Sequence, residues 1–518
     1  MKRKVHILAQ ITVDEVLLLL KEHDLLVKSQ FTDLNQSFKA IAYNSKVVSA
    51  DCLFFCKGNF REAYLQDAEQ RGAAGYVSEK VYGKATIPGI IVQNIQKAMS
   101  LLSAAFFGFP QNALPTIAYT GTKGKTTSAY FTKSILDKAY DRRVALFSTI
   151  NTVVGPNATD VVKSSLTTPE SLDLFTNMNQ AVQNNMTHLV MEVSSQAYKK
   201  QRVYNLHYDV GVFLNISPDH IGRNEHPTFA DYLHCKEQLL VNATKCVLNA
   251  DSDHMVDVYY AAKATSQPED IFVYHRKGSA MNRELPKDFE YESLVDSLNE
   301  NKIYLRSVSD KAQRLGIDGT YEISIPGDYN EGNAVSAAIT SAMMGARPAE
   351  IAYGLAHTTV PGRMEIYPTK THGTIYVDYA HNYGSLHSVL AFLKKQSPSG
   401  KITVITGSTG DKGIDRREGL GKAINELADV AYLTTDDPAT EDPKVIADEI
   451  AAHIDEDRVK TSYIADRRAA IEKAVSGSRQ GDLVVVAGKG HDAFQKINGK
   501  NVPYAGDAAI VANLVKGL

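Results

Sequence analysis

A glycine-rich segment at residues 120–127 has the residue types of a phosphate-binding loop. It reads Thr-Gly-Thr-Lys-Gly-Lys-Thr-Thr and follows an apolar run that predicts a strand. Glycines let backbone N–H groups approach phosphate oxygens, and the N-terminus of a following helix favours the anion. Lys125 can neutralise β- and γ-phosphates, and the Thr126 hydroxyl can bind Mg²⁺. Because Tyr119 stands where the usual pattern has its first glycine, the prediction depends on the strand–loop–helix context.

Two further polar segments follow predicted strands of the same region. Glu192 ends the strand-like run 188–193, where a carboxylate near a phosphate loop can bind Mg²⁺. His220 closes the segment Asn-Ile-Ser-Pro-Asp-His after the next strand. It could serve a second metal or a phosphate, or have no such role. Lys236 falls on a predicted helix. Its position alone predicts an exposed lysine without a functional role.

The C-terminal third contains strand-like runs at 374–378, 401–406, 430–434 and 483–487, separated by helical segments. This alternation predicts a doubly wound α/β sheet, in which ligands bind beyond the carboxyl ends of the strands. Each run ends in a polar, glycine-bearing or acidic segment, and these segments are 378–381, 407–410, 436–438 and 488–491. Four such loops at one edge predict a binding site there.

The length of 518 residues suggests about three domains. We expect an α/β protein with a small α/β N-terminal domain (1–112), a central domain with a mostly parallel sheet and a phosphate loop (113–345), and a doubly wound C-terminal domain (346–518). The central domain is predicted to bind ATP.

Composition excludes several classes of function. The net charge is −3, without the basic surplus of a nucleic-acid-binding protein. The four cysteines form no CxxC pair and fit a reducing compartment. No run approaches the roughly 20 apolar residues that cross a bilayer. We therefore expect a cytoplasmic protein that binds small molecules and neither nucleic acid nor membrane. We also expect a monomer, although no sequence feature bears on the oligomeric state.

The segment 120–127 resembles the ATP loop of the Mur ligases, usually TGTNGKTT, with Lys123 in place of asparagine. Further family motifs follow in order over roughly residues 40–510. The resemblance is greatest to the branch that adds the third peptide residue. It implies an ATP-dependent ligase that joins an amino acid to a UDP-muramyl dipeptide through an acyl phosphate. The resemblance further implies that the N-terminal domain binds the UDP-linked substrate, and that the C-terminal domain closes on ATP and binds the amino acid. The implied ATP contacts in this loop are Gly121, Thr122, Lys123, Gly124, Lys125, Thr126 and Thr127.

The resemblance assigns further ATP contacts outside the loop. Asn330 and Asn333 match the family pattern G-x-x-N-x-x-N and would face the adenine. Arg363, in Pro-Gly-Arg-Met-Glu, would reach ATP from the C-terminal domain. In Val-Asp-Tyr-Ala-His, Asp378 would meet the ribose and His381 the phosphates. Such contacts from two domains imply a hinge motion.

The resemblance also implies metal ligands and contacts to the UDP-linked substrate. Mg²⁺ would be held by Thr126, Glu192, His220 and Lys236, the lysine being carbamylated by CO₂. Lys125, Glu192, His220 and Lys236 would be the catalytic residues. The UDP-substrate contacts would be Ser45, Thr167, Thr168, Ser194 and Arg202. Arginine suits a fork-like grip on carboxylate or phosphate, although a surface arginine is the alternative for residue 202.

The incoming amino acid would meet Asp436-Asp437-Pro438-Ala439. Family members that add meso-diaminopimelate carry DNPR there, and their arginine clamps the extra carboxylate. Ala439 removes that clamp and Asp437 adds negative charge, which favours an ammonium-ended side chain and hence L-lysine. The resemblance also assigns amino-acid contacts to Arg417, Gly488 and Asp492.

Three functions remain open on the sequence. The first is the L-lysine ligase. The second is a related ligase, which adds ornithine or meso-diaminopimelate or resembles folylpolyglutamate synthetase. The third is a phosphate-loop ATPase regulator. Phosphate release that requires both a UDP-muramyl peptide and an amino acid would distinguish the ligases of peptidoglycan synthesis from the regulator.

Overall fold

The computed structural model describes residues 10–222, 225–297 and 300–517. The strands are β1 (Ile11–Thr12), β2 (Leu26–Ser29), β3 (Ser37–Phe38), β4 (Ala40–Ala42), β5 (Cys52–Phe55), β6 (Ala73–Ser78), β7 (Gly89–Val92), β8 (Thr116–Thr120), β9 (Val144–Phe147), β10 (Asn151–Val153), β11 (Val161–Lys163), β12 (His188–Glu192), β13 (Tyr208–Phe213), β14 (Ala243–Asn249), β15 (Ile271–Arg276), β16 (Phe289–Asp296), β17 (Asn301–Ser307), β18 (Gly319–Glu322), β19 (Glu365–Tyr367), β20 (Thr374–Asp378), β21 (Ile402–Thr406), β22 (Val430–Leu433), β23 (Lys460–Tyr463), β24 (Leu483–Ala487), β25 (Phe494–Ile497) and β26 (Lys500–Pro503).

The helices are α1 (Val13–Glu22), α2 (Glu62–Gln70), α3 (Ile95–Phe106), α4 (Lys125–Ala139), α5 (Ser171–Gln183), α6 (Ser195–Lys199), α7 (Phe229–Val241), α8 (Met255–Lys263), α9 (Asp310–Gln313), α10 (Glu331–Met343), α11 (Pro348–His357), α12 (Tyr383–Gln396), α13 (Asp415–Leu427), α14 (Pro443–Ala451), α15 (Arg467–Gly477) and α16 (Asp507–Val515). The regular alternation of strands and helices confirms the predicted α/β class. Among the helices of the described residues, none combines the length and the apolar character needed to cross a membrane.

The chain forms two compact units. The first runs to Glu292 and includes Leu305–Gly319 and Gly332–Leu355. The second consists of Ser293–Tyr304, Thr320–Glu331 and the chain from Ala356 onward. Each unit has its own sheet system and its own group of predicted functional residues.

The N-terminal part of the first unit has a sheet with the strand order β2-β7-β6-β5-β4. Strand β2 is antiparallel to β7, and the other neighbours are parallel. Strand β5 is buried along its whole length. Its residues Leu53 and Phe55 share one apolar core with Val16 and Leu20 of α1. Helix α1 begins at a capping box formed by Thr12 and Glu15.

The large sheet of the first unit has the order β11-β10-β9-β12-β8-β13-β14-β15-β16. Its strands are parallel from β9 to β16, and β10 and β11 are antiparallel at one edge. Strands β8 and β12 are buried throughout, as expected for parallel strands covered on both faces. In register, Glu192 lies beside Tyr119 and Phe213 beside Thr120. The carboxyl ends of β12, β8 and β13 therefore meet at one edge.

The second unit has a sheet with the order β19-β20-β24-β21-β22-β23, parallel except for β19. Asp378 pairs with Ala487, and Thr406 pairs with Leu433. The four strand ends therefore share one edge, as the sequence predicts. The hairpin of β25 and β26 was not predicted. Its turn is Asn498-Gly499, with φ of +49° and +71°, a left-handed pair that glycine and asparagine tolerate.

Candidate active site

The phosphate loop connects β8 to α4 through two glycines with positive φ. Gly121 has φ +154° and Gly124 has φ +84°. A Cβ at Gly124 would lie 2.2 Å from Asn333 Oδ1, so this position has no room for a side chain unless the amide moves. The same close approach places Asn333, a predicted ATP contact, beside the loop. The loop ends at the N-terminus of α4, where backbone N–H groups are available to an anion.

Lys125 folds back over the loop. Its Nζ donates to the carbonyl oxygens of Gly121 at 2.7 Å and Thr122 at 3.3 Å. The loop itself is fixed to the segment after β13, because Thr122 N donates to Asn215 O at 3.0 Å and Lys123 N to Asn215 Oδ1 at 2.9 Å. Asn215 thus holds the loop in place, a role that the sequence did not indicate.

Glu192 lies at the centre of a group of oxygen ligands. Its Oε1 accepts from Thr126 Oγ1 at 2.8 Å and from Thr149 N at 2.7 Å, and its Oε2 accepts from Thr149 Oγ1 at 3.0 Å. The glutamate is 1% exposed. A carboxylate and hydroxyl oxygens are hard ligands of the kind that Mg²⁺ prefers, so the residues present fit the predicted metal. Thr149 was missed because it ends no predicted motif.

Lys236 is buried, so the alternative of an exposed helix lysine is wrong. Its Nζ donates to Gly121 O at 2.7 Å and lies 4.6 Å from the centre of the Tyr232 ring. Among the described residues, no carboxylate forms an ion pair with it. Burial, reinforced by the neighbouring Lys125, holds the pKa of Lys236 well below its usual value. A lower pKa increases the share of the neutral amine, which is the nucleophilic form.

His220 stands at the end of the segment after β13 with φ +55°. Its Nδ1 lies 2.7 Å from Glu225 Oε1, and its Nε2 lies 3.9 Å from Asp219 Oδ2. The side chain is 40% exposed, so a ligand can reach the ring.

The predicted wall for the UDP-linked substrate is a connected group of side chains. Thr168 Oγ1 donates to Glu192 O at 3.1 Å and accepts from Ser194 N at 3.0 Å. Thr167 Oγ1 lies 3.1 Å from Thr149 Oγ1. These contacts place Thr167, Thr168 and Ser194 directly beside the Glu192 group.

Arg202 is buried, so the alternative of a surface arginine is wrong. Its Nε and Nη2 contact Glu170 Oε1 at 3.0 and 2.9 Å, and Lys57 pairs with the same carboxylate. Tyr43 Oη donates to Asp173 Oδ2 at 2.5 Å. These pairs bring the segment next to Ser45 against the start of α5. Glu170 and Lys57 were missed because their partners are more than 30 residues away in the sequence.

A buried hydrogen-bond chain behind this wall was also missed. His226 is 0% exposed, with Nε2 2.9 Å from Ser195 Oγ and Nδ1 2.6 Å from Asp231 Oδ2. It connects the start of α6 to α7, the helix that carries Lys236. The sequence singled out only the earlier histidine, His220.

Replacing Ser195 by alanine removes the partner of His226 Nε2, and we expect it to lower the free energy of unfolding by about 1–3 kcal/mol. Ser103 is a matched control, since its buried Oγ has no hydrogen-bond partner among the described residues. The free energy of unfolding of both variants is measured by urea titration, and Ser103→Ala should leave it unchanged. Equal losses in the two variants would show that the Ser195–His226 bond contributes no stability.

In the second unit, Asp378 is buried and accepts two main-chain hydrogen bonds. Its Oδ2 accepts from Met364 N at 2.9 Å and its Oδ1 from Ala380 N at 2.8 Å. Arg363 Nη1 lies 4.0 Å from Asp378 Oδ1. Burial raises the pKa of Asp378. The carboxylate thus fixes the turn that presents the arginine, in addition to its predicted contact with the ribose.

Two other predicted ATP contacts of the second unit differ in exposure. His381 is exposed, and its Nδ1 lies 2.6 Å from Tyr379 O. Asn330 is buried, and its Nδ2 donates to Pro326 O at 2.8 Å. The amide of Asn330 therefore stabilises its own turn.

The predicted amino-acid pocket is an acidic cluster around one lysine. Lys489 Nζ lies 2.8 Å from Asp437 Oδ1, 3.4 Å from Asp492 Oδ2 and 3.6 Å from Asp436 Oδ1. Gly488 has φ +116°, and a Cβ there would lie 2.8 Å from Asp436 Oδ2. The structure therefore brings Asp436, Asp437, Gly488 and Asp492 together, as predicted contacts of one ligand should be.

Arg417 and Ala439 lie in neighbouring segments of this unit. Arg417 contacts Glu441 at 2.9 Å and Glu449 at 2.6 Å, and its Nε has no hydrogen-bond partner among the described residues. Ala439 has φ +52°, and its N donates to Lys496 O of the unpredicted hairpin at 2.9 Å. Arg417 is therefore held by two glutamates that no sequence motif indicated.

A buried ion pair supports the same strand edge. Arg467 contacts both oxygens of Asp507 at 2.8 and 2.7 Å and donates to Ala487 O at 2.7 Å, with both side chains 0% exposed.

Arg467→Met would leave the buried carboxylate of Asp507 without its cation, and we expect a loss of about 3–5 kcal/mol in the free energy of unfolding. The adjacent Arg468, 62% exposed, is the control. Arg468→Met should cost less than about 0.5 kcal/mol in the same denaturation experiment, and a similar loss in both would contradict this account.

The first unit thus offers a nucleotide-phosphate site, and the second offers an acidic pocket suited to a cationic ligand. Each site lies where the carboxyl ends of parallel strands meet. This combination defines an enzyme class that uses a nucleoside triphosphate to join two substrates, and the fold and both sites fit an ATP-dependent ligase.

Comparison with known proteins confirms this class. Residues 119–341 match the Mur ligase middle domain, and residues 362–490 match the Mur ligase, glutamate ligase domain. The chain is 56% identical over 507 residues to the UDP-N-acetylmuramyl-tripeptide synthetase of Ligilactobacillus salivarius (strain UCC118), covering 98% of this chain and 99% of that protein. The chain belongs to the Mur ligase family, and it is an ATP-dependent amide-bond-forming ligase of peptidoglycan synthesis.

Two further matches describe the relationship. The UDP-N-acetylmuramoyl-L-alanyl-D-glutamate–L-lysine ligase of Enterococcus faecalis (strain ATCC 700802 / V583) is 49% identical over 475 residues, 91% of this chain and 90% of that protein. A solved UDP-N-acetylmuramoyl-L-alanyl-D-glutamate–2,6-diaminopimelate ligase superposes with a TM-score of 0.63 at 24% identity, covering 98% and 99% of the two chains. This second likeness concerns the fold alone.

Proposed function

We propose that this ligase adds L-lysine to UDP-N-acetylmuramoyl-L-alanyl-D-glutamate, with conversion of ATP to ADP and phosphate. One observation carries the choice of amino acid. Asp436, Asp437 and Asp492 gather at one strand edge, and Ala439 beside them supplies no cation. Carboxylates favour an ammonium-ended side chain over a carboxylate-ended one. The name of the Enterococcus faecalis relative supports the same amino acid.

The chemistry has two steps. A carboxylate oxygen of the muramyl dipeptide attacks the γ-phosphorus of ATP, so that an acyl phosphate forms and ADP leaves. The neutral amine of lysine then attacks the acyl carbon, the C–O bond to phosphate breaks, and the amine loses a proton. Both steps gather negative charge, which the ammonium of Lys125, beside the loop backbone, would offset. The chain contributes mainly position and charge.

The metal site follows from the oxygen ligands around Glu192. Thr126 and Glu192 would hold Mg²⁺, which when bound neutralises charge on phosphate oxygens. Lys236 is buried without a carboxylate partner among the described residues, 2.7 Å from the loop carbonyl of Gly121. The neutral amine and CO₂ would form a carbamate with release of a proton, which would give the buried site an anion with two oxygen ligands for a second Mg²⁺. His220 would complete that set.

The remaining assignments extend this proposal. The protein would act as a cytoplasmic monomer, with domains at 1–112, 113–345 and 346–518 that bind the UDP-substrate, ATP and the amino acid. The proposed ATP contacts are residues 121–127, Asn330, Asn333, Arg363, Asp378 and His381. The proposed UDP-substrate contacts are Ser45, Thr167, Thr168, Ser194 and Arg202. The proposed amino-acid contacts are Arg417, Asp436, Asp437, Ala439, Gly488 and Asp492.

Phosphate release with ATP, Mg²⁺ and UDP-N-acetylmuramoyl-L-alanyl-D-glutamate tests the function. L-Lysine, L-ornithine and meso-diaminopimelate are compared, with omission of the muramyl dipeptide and of the amino acid as the two controls. We expect release only when both are present, and fastest with L-lysine. Faster release with ornithine would shift the substrate to the shorter diamine. Faster release with meso-diaminopimelate would overturn the acidic-pocket argument and leave the ligase class intact.

A further inference from the structure

The acidic cluster of the second unit contains an internal ammonium that no motif assigned to the pocket. We propose that Lys489 sets the charge and geometry of this cluster and so determines which amino acid the ligase accepts. The inference rests on the proposed use of Asp436, Asp437 and Asp492 as the amino-acid pocket. Lys489 would act as a specificity-determining residue through the carboxylates and would not contact the reacting atoms.

Burial separates the lysine from the carboxylates that a ligand would meet. The Lys489 side chain is 1% exposed, whereas those of Asp437 and Asp492 are 21% and 30% exposed. A ligand arriving from solvent would therefore meet the two aspartates and not the ammonium behind them. Each ionised carboxylate can accept several hydrogen bonds, so one group can serve Lys489 on its inner side and a ligand on its outer side.

The carboxylates of the cluster outnumber its ammonium. Three carboxylates face one ammonium, so negative charge is left over for a ligand cation. Burial raises the pKa of Asp436, and the neighbouring carboxylates of Asp437 and Asp507 raise it further, whereas Lys489 and then Arg467 lower it. Lys489 opposes both effects. Its own pKa is raised because Asp436 and Asp437 outweigh the opposing effect of burial, so the ammonium stays charged.

Lys489 also fixes the carboxylates in place. Asp437 Oδ1 accepts from Lys489 Nζ at 2.8 Å and from Lys496 N at 2.9 Å. Without the ammonium, the carboxylate of Asp437 would keep the main-chain donor Lys496 N as its one partner among the described residues, and Asp492 would lose its 3.4 Å contact. A ligand ammonium would then find the carboxylates displaced or protonated. With Lys489 in place the cluster still has an excess of negative charge, and this excess repels a second carboxylate on the ligand.

Steady-state kinetics of Lys489→Met with L-lysine tests the proposal. Loss of a charge-assisted hydrogen bond network should raise KM for L-lysine by about tenfold or more, with kcat changed much less. Lys500→Met, the same substitution at an exposed position of the neighbouring hairpin, should leave KM unchanged. An unchanged KM in Lys489→Met would overturn the proposal.

The double variant Asp437→Asn/Lys489→Met separates charge setting from simple packing. It removes one anion together with the cation, so Lys489→Met should raise KM by a smaller factor in the Asp437→Asn background than in the wild type. An equal factor in both backgrounds would show a structural role and overturn the proposal. If Lys489→Met alone does not fold, the charge-balanced double variant must still fold and use lysine, or the proposal fails.

The activity of the wild-type enzyme with L-lysine distinguishes a failure of this proposal from a failure of the proposed function. Wild-type enzyme that does not use L-lysine would refute the proposed function itself, whatever the variants do. Wild-type enzyme that uses L-lysine with the same KM as Lys489→Met would refute the role of Lys489 alone.

Discussion

Lys125→Met should lower kcat/KM for ATP-dependent phosphate release by about 10²–10³-fold, the usual cost of removing one preorganised charge from a phosphoryl-transfer site. Methionine keeps the length of the side chain and removes the ammonium. The ammonium donates to two loop carbonyls, Gly121 O and Thr122 O, so the fold should lose little when it is removed. The loss should therefore appear in catalysis and not in stability.

Lys138→Met is the matched control for this experiment. Lys138 lies on the same helix, is exposed, and has its Nζ 4.4 Å from the centre of the Tyr353 ring. It should retain full activity and a nearly unchanged melting temperature. A Lys125→Met protein that is folded and within threefold of wild-type activity would contradict the phosphate role of the loop lysine.

The phosphate loop and the parallel strands were predictable because their signals are local. Strand β8, the two glycines and Lys125 lie within ten residues, and the loop conformation depends mostly on those residues. Strands β20, β21, β22 and β24 were found within one residue of their observed bounds, because buried parallel strands are continuous apolar runs. The hairpin of β25 and β26 was missed although Asn498-Gly499 is a hairpin signal, because its flanking strands are only four residues long and none of their residues is buried.

Partners distant in the sequence could not be predicted. Lys489 lies 52 residues from Asp437, and Arg467 lies 40 residues from Asp507. Nothing local distinguishes the buried Arg467 from the exposed Arg468 beside it. The same holds for Arg417, whose two glutamates lie on a later segment and helix. Such pairs depend on the three-dimensional proximity of strand ends and helices, which the order of motifs does not specify.

Ala439→Arg should change the choice of amino acid. It introduces a guanidinium beside the acidic cluster, where it would pair with the carboxylates and repel the side-chain ammonium of lysine. We expect kcat/KM with L-lysine to fall by about 10²-fold, the scale of losing a charge-assisted contact. Backbone strain should change little, because Ala439 already has φ +52°.

Ala439→Met controls for size, since it adds a long side chain without charge at the same φ. Its kcat/KM with L-lysine should exceed that of Ala439→Arg by at least about tenfold, and equal losses would mean that steric filling causes the effect.

Activity with meso-diaminopimelate should rise only slightly in Ala439→Arg, because Asp437 would compete for the new guanidinium. Adding Asp437→Asn removes the competing carboxylate, so the introduced guanidinium is available to bind the second carboxylate of meso-diaminopimelate. The double variant should therefore show the larger gain with meso-diaminopimelate, and a gain confined to the single variant would mean that Asp437 does not oppose carboxylate-ended substrates.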